Sequence, residues 1–224
     1  SLITERQQGG LTGKNSVRSF DVDADGILLG EGCGLLLLKK LSRAIHDGDH
    51  IYGVIKSCSI RNSGKTFYPL APSPEAHERV ILDALKKAKI STDQIDYLEG
   101  QGAATKISDQ AELMAYNKVF GKRKRPFWLT NVKANIGHLE TPSGVVSVIK
   151  TLLSMNAGYV PKILNLSELN TTFAADTNVA AVTQGHEWHE SQRGVKYASV
   201  HNFGAGGTNA HIVLHHHEDL KKRS

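Results

Sequence analysis

Apolar positions along the chain fall into two periods, and the places where one gives way to the other outline a succession of helices and strands. After Ser73 the apolar residues Ala76, Val80, Ile81, Ala84, Leu85 and Ala88 recur at helical spacing. Ser73 can cap that helix, Pro74 suits its first position, and Lys86, Lys87 and Lys89 suit its negative end. A strand is predicted over 95–99, a helix over 108–120 and a second strand over 127–132. The segment 143–156 is apolar on most sides, as a central buried helix would be. Upstream, the leucine run at 35–38 predicts a short buried strand, 41–46 a helix ended by the turn Asp47-Gly48-Asp49, and 52–60 another strand. Strands over 196–200 and 210–214 flank a glycine-rich connection holding Phe203, Gly204, Gly206 and Gly207. This alternation predicts an α/β fold around a largely buried sheet. The segments with polar and glycine residues begin where strands end, which is where open α/β sheets place their ligands.

Composition narrows the class of protein. The 224 residues are 40% hydrophobic and 22% charged, as in an ordinary soluble globular protein, and predict one domain or part of one. No apolar run reaches the ~18 residues of a membrane span and no signal-peptide pattern opens the chain, so a cytoplasmic protein without a membrane partner is expected. Cys33 and Cys58 lie in apolar, strand-like surroundings and are expected to be buried, reduced thiols. The net charge of +5 is concentrated in Lys122-Arg123-Lys124-Arg125 and in Lys221-Lys222-Arg223, read as solvated segments rather than a nucleic-acid surface. Residues 1–15 form a loose arm and 215–224 a polar tail; no repeat or linker marks an internal boundary.

Metal-like patterns fail on spacing. Asp21-Val22-Asp23-Ala24-Asp25-Gly26 imitates the opening of a calcium loop, but Gly32 stands where the bidentate glutamate belongs. His186 and His189 are three apart rather than four, and His215-His216-His217 ends a strand at a polar tail. No metal is expected.

Leu98-Glu99-Gly100-Gln101-Gly102-Ala103-Ala104-Thr105 and Asn131-Val132-Lys133-Ala134-Asn135-Ile136-Gly137-His138-Leu139-Glu140 each follow a predicted strand. Together with Phe20-Asp21-Val22-Asp23-Ala24-Asp25-Gly26, Gly30-Glu31-Gly32 and Asn202-Phe203-Gly204-Ala205-Gly206-Gly207-Thr208-Asn209-Ala210-His211, they resemble the thiolase-fold β-ketoacyl synthases, specifically the ketosynthase domains of modular polyketide synthases. The resemblance covers roughly residues 16–214. It implies a thiolase-like fold, with 16–49 closing the N-terminal half and 50–214 forming the C-terminal half.

By the same resemblance His138 is one of two catalytic imidazoles, Lys133 is the motif lysine, and Gln101 stands where the family's E-A-H-G-T-G-T motif has the other imidazole. Gln101 can still donate a neutral hydrogen bond, but it cannot shuttle a proton near neutral pH. Thr105, Phe203, Gly204, Ala205 and Gly206 are implied to line the acyl chain and the phosphopantetheine arm, while Ala103 lacks the hydroxyl of the first motif threonine. Asp109 and Glu112 share one helical face as supporting residues with Asn135, and Glu112 is the expected partner of Lys133.

Losing one oxyanion donor costs on the order of 10² to 10³ in rate. The pattern is therefore similar to the non-elongating ketosynthases of trans-acyltransferase assembly lines, which pass an acyl chain between acyl carrier proteins. Two alternatives stand beside that expectation: decarboxylative Claisen condensation with Gln101 as a sufficient donor, and a non-catalytic ketosynthase-like partner. The family carries its nucleophilic cysteine in a T-x-C-S-S type segment ahead of the F-D-x-x-x-D-G region. The resemblance thus places it in a first half that is a separate polypeptide or lies outside this sequence. Neither Cys33 nor Cys58 opens a predicted helix, where a thiol would be activated. A homodimer of the complete domain is implied, and no cofactor is expected on the chain itself beyond the carrier's phosphopantetheine as substrate carrier.

Overall fold

The structure, a computed structural model, describes residues 10–64, 71–123, 125, 127–171, 179–188, 196–204 and 206–217. Its elements in chain order are α1 (Leu41–Asp47), β1 (Val54–Asn62), α2 (Pro74–Ala88), β2 (Tyr97–Glu99), α3 (Lys106–Phe120), β3 (Phe127–Thr130), α4 (Lys133–Ile136) and α5 (Ser143–Ala157). Then come β4 (Tyr159–Val160), β5 (Val179–Ala181), β6 (His186–Glu187), β7 (Tyr197–Phe203) and β8 (Thr208–His215). Helix α2 starts as its sequence dictates: the Ser73 hydroxyl accepts the Ala76 N–H at 3.2 Å, Pro74 opens the first turn, and Lys89 closes the helix in the left-handed conformation.

One six-stranded sheet runs β1-β8-β7-β2-β3-β5. Its β7-β2-β3-β5 side is parallel, while β8 and β1 add antiparallel strands at the other edge. Neighbouring residues of a strand point to opposite faces, so each strand feeds two cores. Leu98, Leu129 and Val213 join Val80, Ile81, Leu113 and Tyr116 of α2 and α3 on one face. Tyr97, Trp128, Val200 and Leu214 join Val148 and Met155 of α5 and Trp188 on the other. The expected α/β architecture is present.

Four sequence expectations change. The leucine run at 35–38 forms no strand: Leu35 is 93% and Leu37 99% exposed, and Leu36 packs on the α5-side core. The segment presses one side on α5, where a Cβ on Gly34 would stand 2.9 Å from Val145, and among the described residues no neighbour forms a ladder with it. Cys33 and Cys58 are exposed rather than buried. Cys58 alternates with the buried Ser57 and Ser59 on β1, and α2 covers only their side of that strand. The basic turn is not wholly solvated, since Arg123 folds back with its guanidinium 5.2 Å from the Phe127 ring and 6.0 Å from that of Phe120.

Helix α5 departs from its expected role in the most consequential way. Its buried stripe is made largely of small hydroxyl residues, Ser143, Ser147, Thr151 and Ser154, with Val148 and Met155. Leu153 is exposed, and Val145, Val146, Ile149 and Leu152 are only half-buried. Among the described residues no helix is long and apolar enough to cross a membrane. Lys124, Ala205, the first nine residues of the arm and the tail from 218 onward lie outside the described residues.

Candidate active site

Strands β7, β2 and β3 are neighbours in the sheet, so the segments leaving their C-terminal ends converge. From β2 comes the loop that carries Gln101; β3 leads through Asn131 and the short α4 to His138; β7 ends at Asn202 and Phe203. Beneath them the buried Glu99 carboxylate accepts from Tyr97 Oη at 2.8 Å, Thr130 Oγ1 at 2.6 Å and Lys150 Nζ at 2.8 Å, tying α5 to both strands.

The Gln101 loop is held by its backbone. Glu112 Oε1 accepts the Gln101 N–H at 2.7 Å and Glu112 Oε2 the Gly102 N–H at 3.0 Å. Asp109 accepts the Ala104 N–H at 3.1 Å and the Phe20 N–H at 2.6 Å. The shared helical face of Asp109 and Glu112 is thus a cradle for backbone donors. Burial pushes both carboxyls up, and for Glu112 the Tyr116 hydroxyl and the two N–H groups pull the other way. From the opposite side Asn131 Nδ2 donates to the carbonyls of Gly100 and Gln101, each at 2.9 Å. Gly102 adopts φ +45°, and a Cβ there would lie 2.6 Å from Asn131 Nδ2 and 2.8 Å from the Phe20 ring, so only glycine fits.

Lys133 is buried but is not hydrogen-bonded to Glu112, its expected partner. Its Nζ donates to the Gln101 carbonyl at 2.7 Å and to Gln101 Oε1 at 3.1 Å. The Glu112 oxygens are already taken by backbone N–H groups, so the carboxylate acts on Lys133 only through space. Burial lowers the Lys133 ammonium, and the charges of Glu112, Glu99 and Asp109 oppose that shift.

These contacts decide the polarity of the Gln101 amide. An ammonium can only donate, so the side facing Lys133 is oxygen; a carbonyl can only accept, so the side facing Phe203 O at 3.1 Å is nitrogen. Asn202 Nδ2 donates to the same Oε1 at 2.5 Å. Gln101 Nε2 then lies 3.5 Å from His138 Nε2.

His138 is fixed in a matching way. Its Nδ1 accepts the Glu140 backbone N–H at 2.8 Å, so the neutral ring carries its proton on Nε2. Burial and the nearby Lys133 charge lower its pKa to about 4, keeping the ring neutral at pH 7. Two neutral N–H donors therefore stand side by side, spaced so that one oxygen at about 2.9 Å from each could accept from both.

The remaining candidates are distributed around this pair. Thr105 caps α3 without using its hydroxyl for the cap, leaving that group half-exposed beside the loop. Phe203 offers its carbonyl to Gln101 and its ring to His77, 4.3 Å away between centroids. Gly204 has open space around it, and Gly206 adopts φ +90°; Ala205 lies outside the described residues. Asn135 is exposed and lines an open cavity of about 380 Å³ with Tyr159, Pro161, Lys162 and Gln184, with no hydrogen bond linking it to Gln101 or His138. Among the described residues no group of three or more His, Cys, Asp or Glu side chains could hold a metal ion.

Sequence reasoning overlooked Asn202 and Asn131. Both carry a readable signal, an amide side chain immediately past or at a strand end beside a glycine-containing motif, but their partners lie on other strands. It also overlooked a buried chain of imidazoles behind Phe203: His201 Nε2 lies 3.1 Å from His77 Nδ1, and His201 Nδ1 lies 3.3 Å from His211 Nδ1.

Comparison with known proteins identifies the family. Residues 52–167 match the family described as Beta-ketoacyl synthase, C-terminal domain, and residues 2–44 match Beta-ketoacyl synthase, N-terminal domain. Reducing polyketide synthase hmp8 of Hypomyces subiculosus is 39% identical over 210 residues, covering 92% of this chain and 9% of that protein. Polyketide synthase PksL of Bacillus subtilis is 36% identical over 219 residues, covering 97% of this chain and 5% of that protein. The solved ketosynthase from module 6 of the bacillaene synthase of Bacillus subtilis superposes with a TM-score of 0.93 at 34% identity, covering 97% of this chain and 40% of that one. The oxazolomycin ketosynthase domain OzmH KS7 of Streptomyces albus gives 0.91 at 28% identity, covering 96% and 39%. The chain thus spans about two-fifths of those solved domains.

Proposed function

The chain belongs to the β-ketoacyl synthase family, and from that premise we propose that it forms part of a polyketide-synthase ketosynthase that passes an acyl chain between acyl carrier proteins without adding carbons. One observation supports this most: neither member of the Gln101–His138 pair is free to exchange a proton. The Gln101 amide is tied to Lys133, Asn202 and Phe203, and the acceptor nitrogen of His138 is filled by the Glu140 N–H. Such a pair polarises a carbonyl oxygen but does not serve as acid or base near neutral pH.

In the transfer itself, a cysteine thiolate attacks the carrier-bound thioester carbonyl. The new C–S bond forms as the carbonyl electrons move onto oxygen; collapse of that tetrahedral species expels the phosphopantetheine thiolate, which takes up a proton from solvent. The second half reverses these steps onto the next carrier. We assign the cysteine to the part of the ketosynthase N-terminal half that precedes the segment matched here, since neither Cys33 nor Cys58 opens a helix, where a thiol would be activated. The exposed side chains of Leu35, Leu37, Leu38 and Leu153 suit that half as a covering layer. Thr105 stands where the carrier's arm would pass, and a cytoplasmic homodimer of the complete domain fits the family.

A second reading, decarboxylative condensation, is favoured by the 3.5 Å spacing of the two donors, which suits an enolate oxygen. Carbon dioxide release from a malonyl-carrier by the complete domain separates the two. Transfer without elongation predicts release about 10²-fold or more below that of Gln101→His, together with an acyl-cysteine adduct visible by mass spectrometry. Equal release in both proteins establishes condensation instead, and failure to form any adduct points to a non-catalytic partner.

A further inference from the structure

A carboxamide is nearly symmetric in shape, and a half-turn about its last torsion exchanges oxygen for NH₂. For Gln101 that exchange would place a carbonyl oxygen beside His138 Nε2–H, forming a hydrogen bond inside the site and removing one of the two donors. A glutamine in this position therefore has a built-in way to quench the pair, which an imidazole lacks.

Three contacts oppose the half-turn. Phe203 O fixes the nitrogen end at 3.1 Å. Lys133 fixes the oxygen end, but at 3.1 Å, because its shorter bond at 2.7 Å goes to the Gln101 main-chain carbonyl. Asn202 Nδ2 makes the closest approach to Oε1, at 2.5 Å. Asn202 is itself an amide, and its other end points away from the pair: its Oδ1 lies 3.3 Å from where a Cβ on Gly144 would stand, at the N-terminal turn of α5. The positive end of a helix favours oxygen there, which leaves Nδ2 facing Gln101. A side chain at Gly144 would press on this amide and shift it by a few tenths of an ångström.

The geometry points to Asn202 as a positioning residue that keeps the N–H face of Gln101 turned toward His138. It rests on the reading of Gln101 and His138 as the reactive pair, and it assigns Asn202 a task that exists only because residue 101 is a glutamine.

Two measurements test it. In the complete domain, the cross-relaxation peak between the Gln101 side-chain NH₂ and the His138 ring is recorded by NMR for the native protein, Asn202→Ala and Asn202→Asp. The peak is expected to be strong in the native protein, to fall at least about twofold in Asn202→Ala, and to vanish in Asn202→Asp, whose carboxylate draws the NH₂ toward itself. An unchanged peak in both variants overturns the assignment. In the complete domain, the rate of acyl-adduct formation is compared across a double-mutant cycle. Asn202→Ala is expected to slow the reaction roughly tenfold when residue 101 is glutamine and less than about twofold in a Gln101→His background. Equal losses in both backgrounds mean that Asn202 merely supports the fold. If the native domain forms no adduct at all, the functional reading fails while the NMR result still decides the orientation of the amide.

Discussion

His138 and the chain His77–His201–His211 are both imidazole sites with lowered pKa, yet they are built for different work. His138 spends Nδ1 on a backbone donor and turns Nε2–H toward Gln101. The chain spends its nitrogens on itself: His201 links to both neighbours, and Nε2 of His77 and of His211 lie buried with no hydrogen-bond partner among the described residues. Burial alone lowers His211 to about 3, and burial lowers His77 to about 4 against the attraction of Glu75. His201 falls well below its usual value through burial and its two imidazole neighbours. Which nitrogen is saturated, and by what, separates the proposed site histidine from a packing histidine more sharply than burial or pKa does.

That contrast can be broken by experiment, beginning with the site. His138→Ala in the complete domain is expected to slow acyl transfer about 10²- to 10³-fold with a thermal midpoint close to native, since the ring is only half-buried in a loop. His201→Ala should show the converse, a stability loss of about 2–4 kcal/mol in urea unfolding with a far smaller change in rate per folded molecule. If both variants lose rate and stability together, the two kinds of site are not distinct.

The imidazole chain should also set the acid limit of the fold. A histidine whose folded pKa lies below its unfolded value binds protons first in the unfolded chain. Stability is thus intact above about pH 6.5 and falls as pH drops toward the folded value. For His77, lowered to about 4, the loss approaches about 3 kcal/mol by that pH. The raised Glu112 and Asp109 carboxyls work in the opposite direction, so the informative quantity is the difference between native protein and His77→Gln. The variant should show a shallower decline between pH 6.5 and 4 in unfolding midpoints, and parallel curves would refute the assignment.

A smaller effect is expected at Glu112. Glu112→Gln replaces one acceptor with an NH₂ facing a backbone donor, costing about 1–3 kcal/mol. The observable sign is faster hydrogen exchange at the Gln101 and Gly102 amides, with exchange in α2 unaffected.

The sequence carried most of what is local. The capped start of α2 and the strands at 95–99 and 196–200 follow from period and punctuation, and the motif positions Gln101, Lys133 and His138 from the family resemblance their segments carry. What it did not carry depends on neighbours remote in the chain. Apolar spelling at Leu35–Leu38 and Cys58 says that a face is fit for burial, not that anything covers it. Glu112 meets Lys133 through charge alone and not through a hydrogen bond, because two backbone N–H groups and the Tyr116 hydroxyl already occupy the carboxylate. Arg123 could not be separated from its basic turn without the rings of Phe120 and Phe127. Asn202 acquires its role only because β7 lies next to β2.

The inward serines and threonines of α5 leave a practical mark on how this chain can be handled. With hydroxyls turned to its own sheet and Leu153 exposed, as Leu35 and Leu37 also are, the chain shows solvent several large apolar side chains. Produced alone it should cling to chaperones, columns and copies of itself. Lysine or glutamate at positions 35, 37 and 153 would be the first edits for anyone wishing to keep it in free solution, since these side chains touch neither the Gln101 loop nor either core.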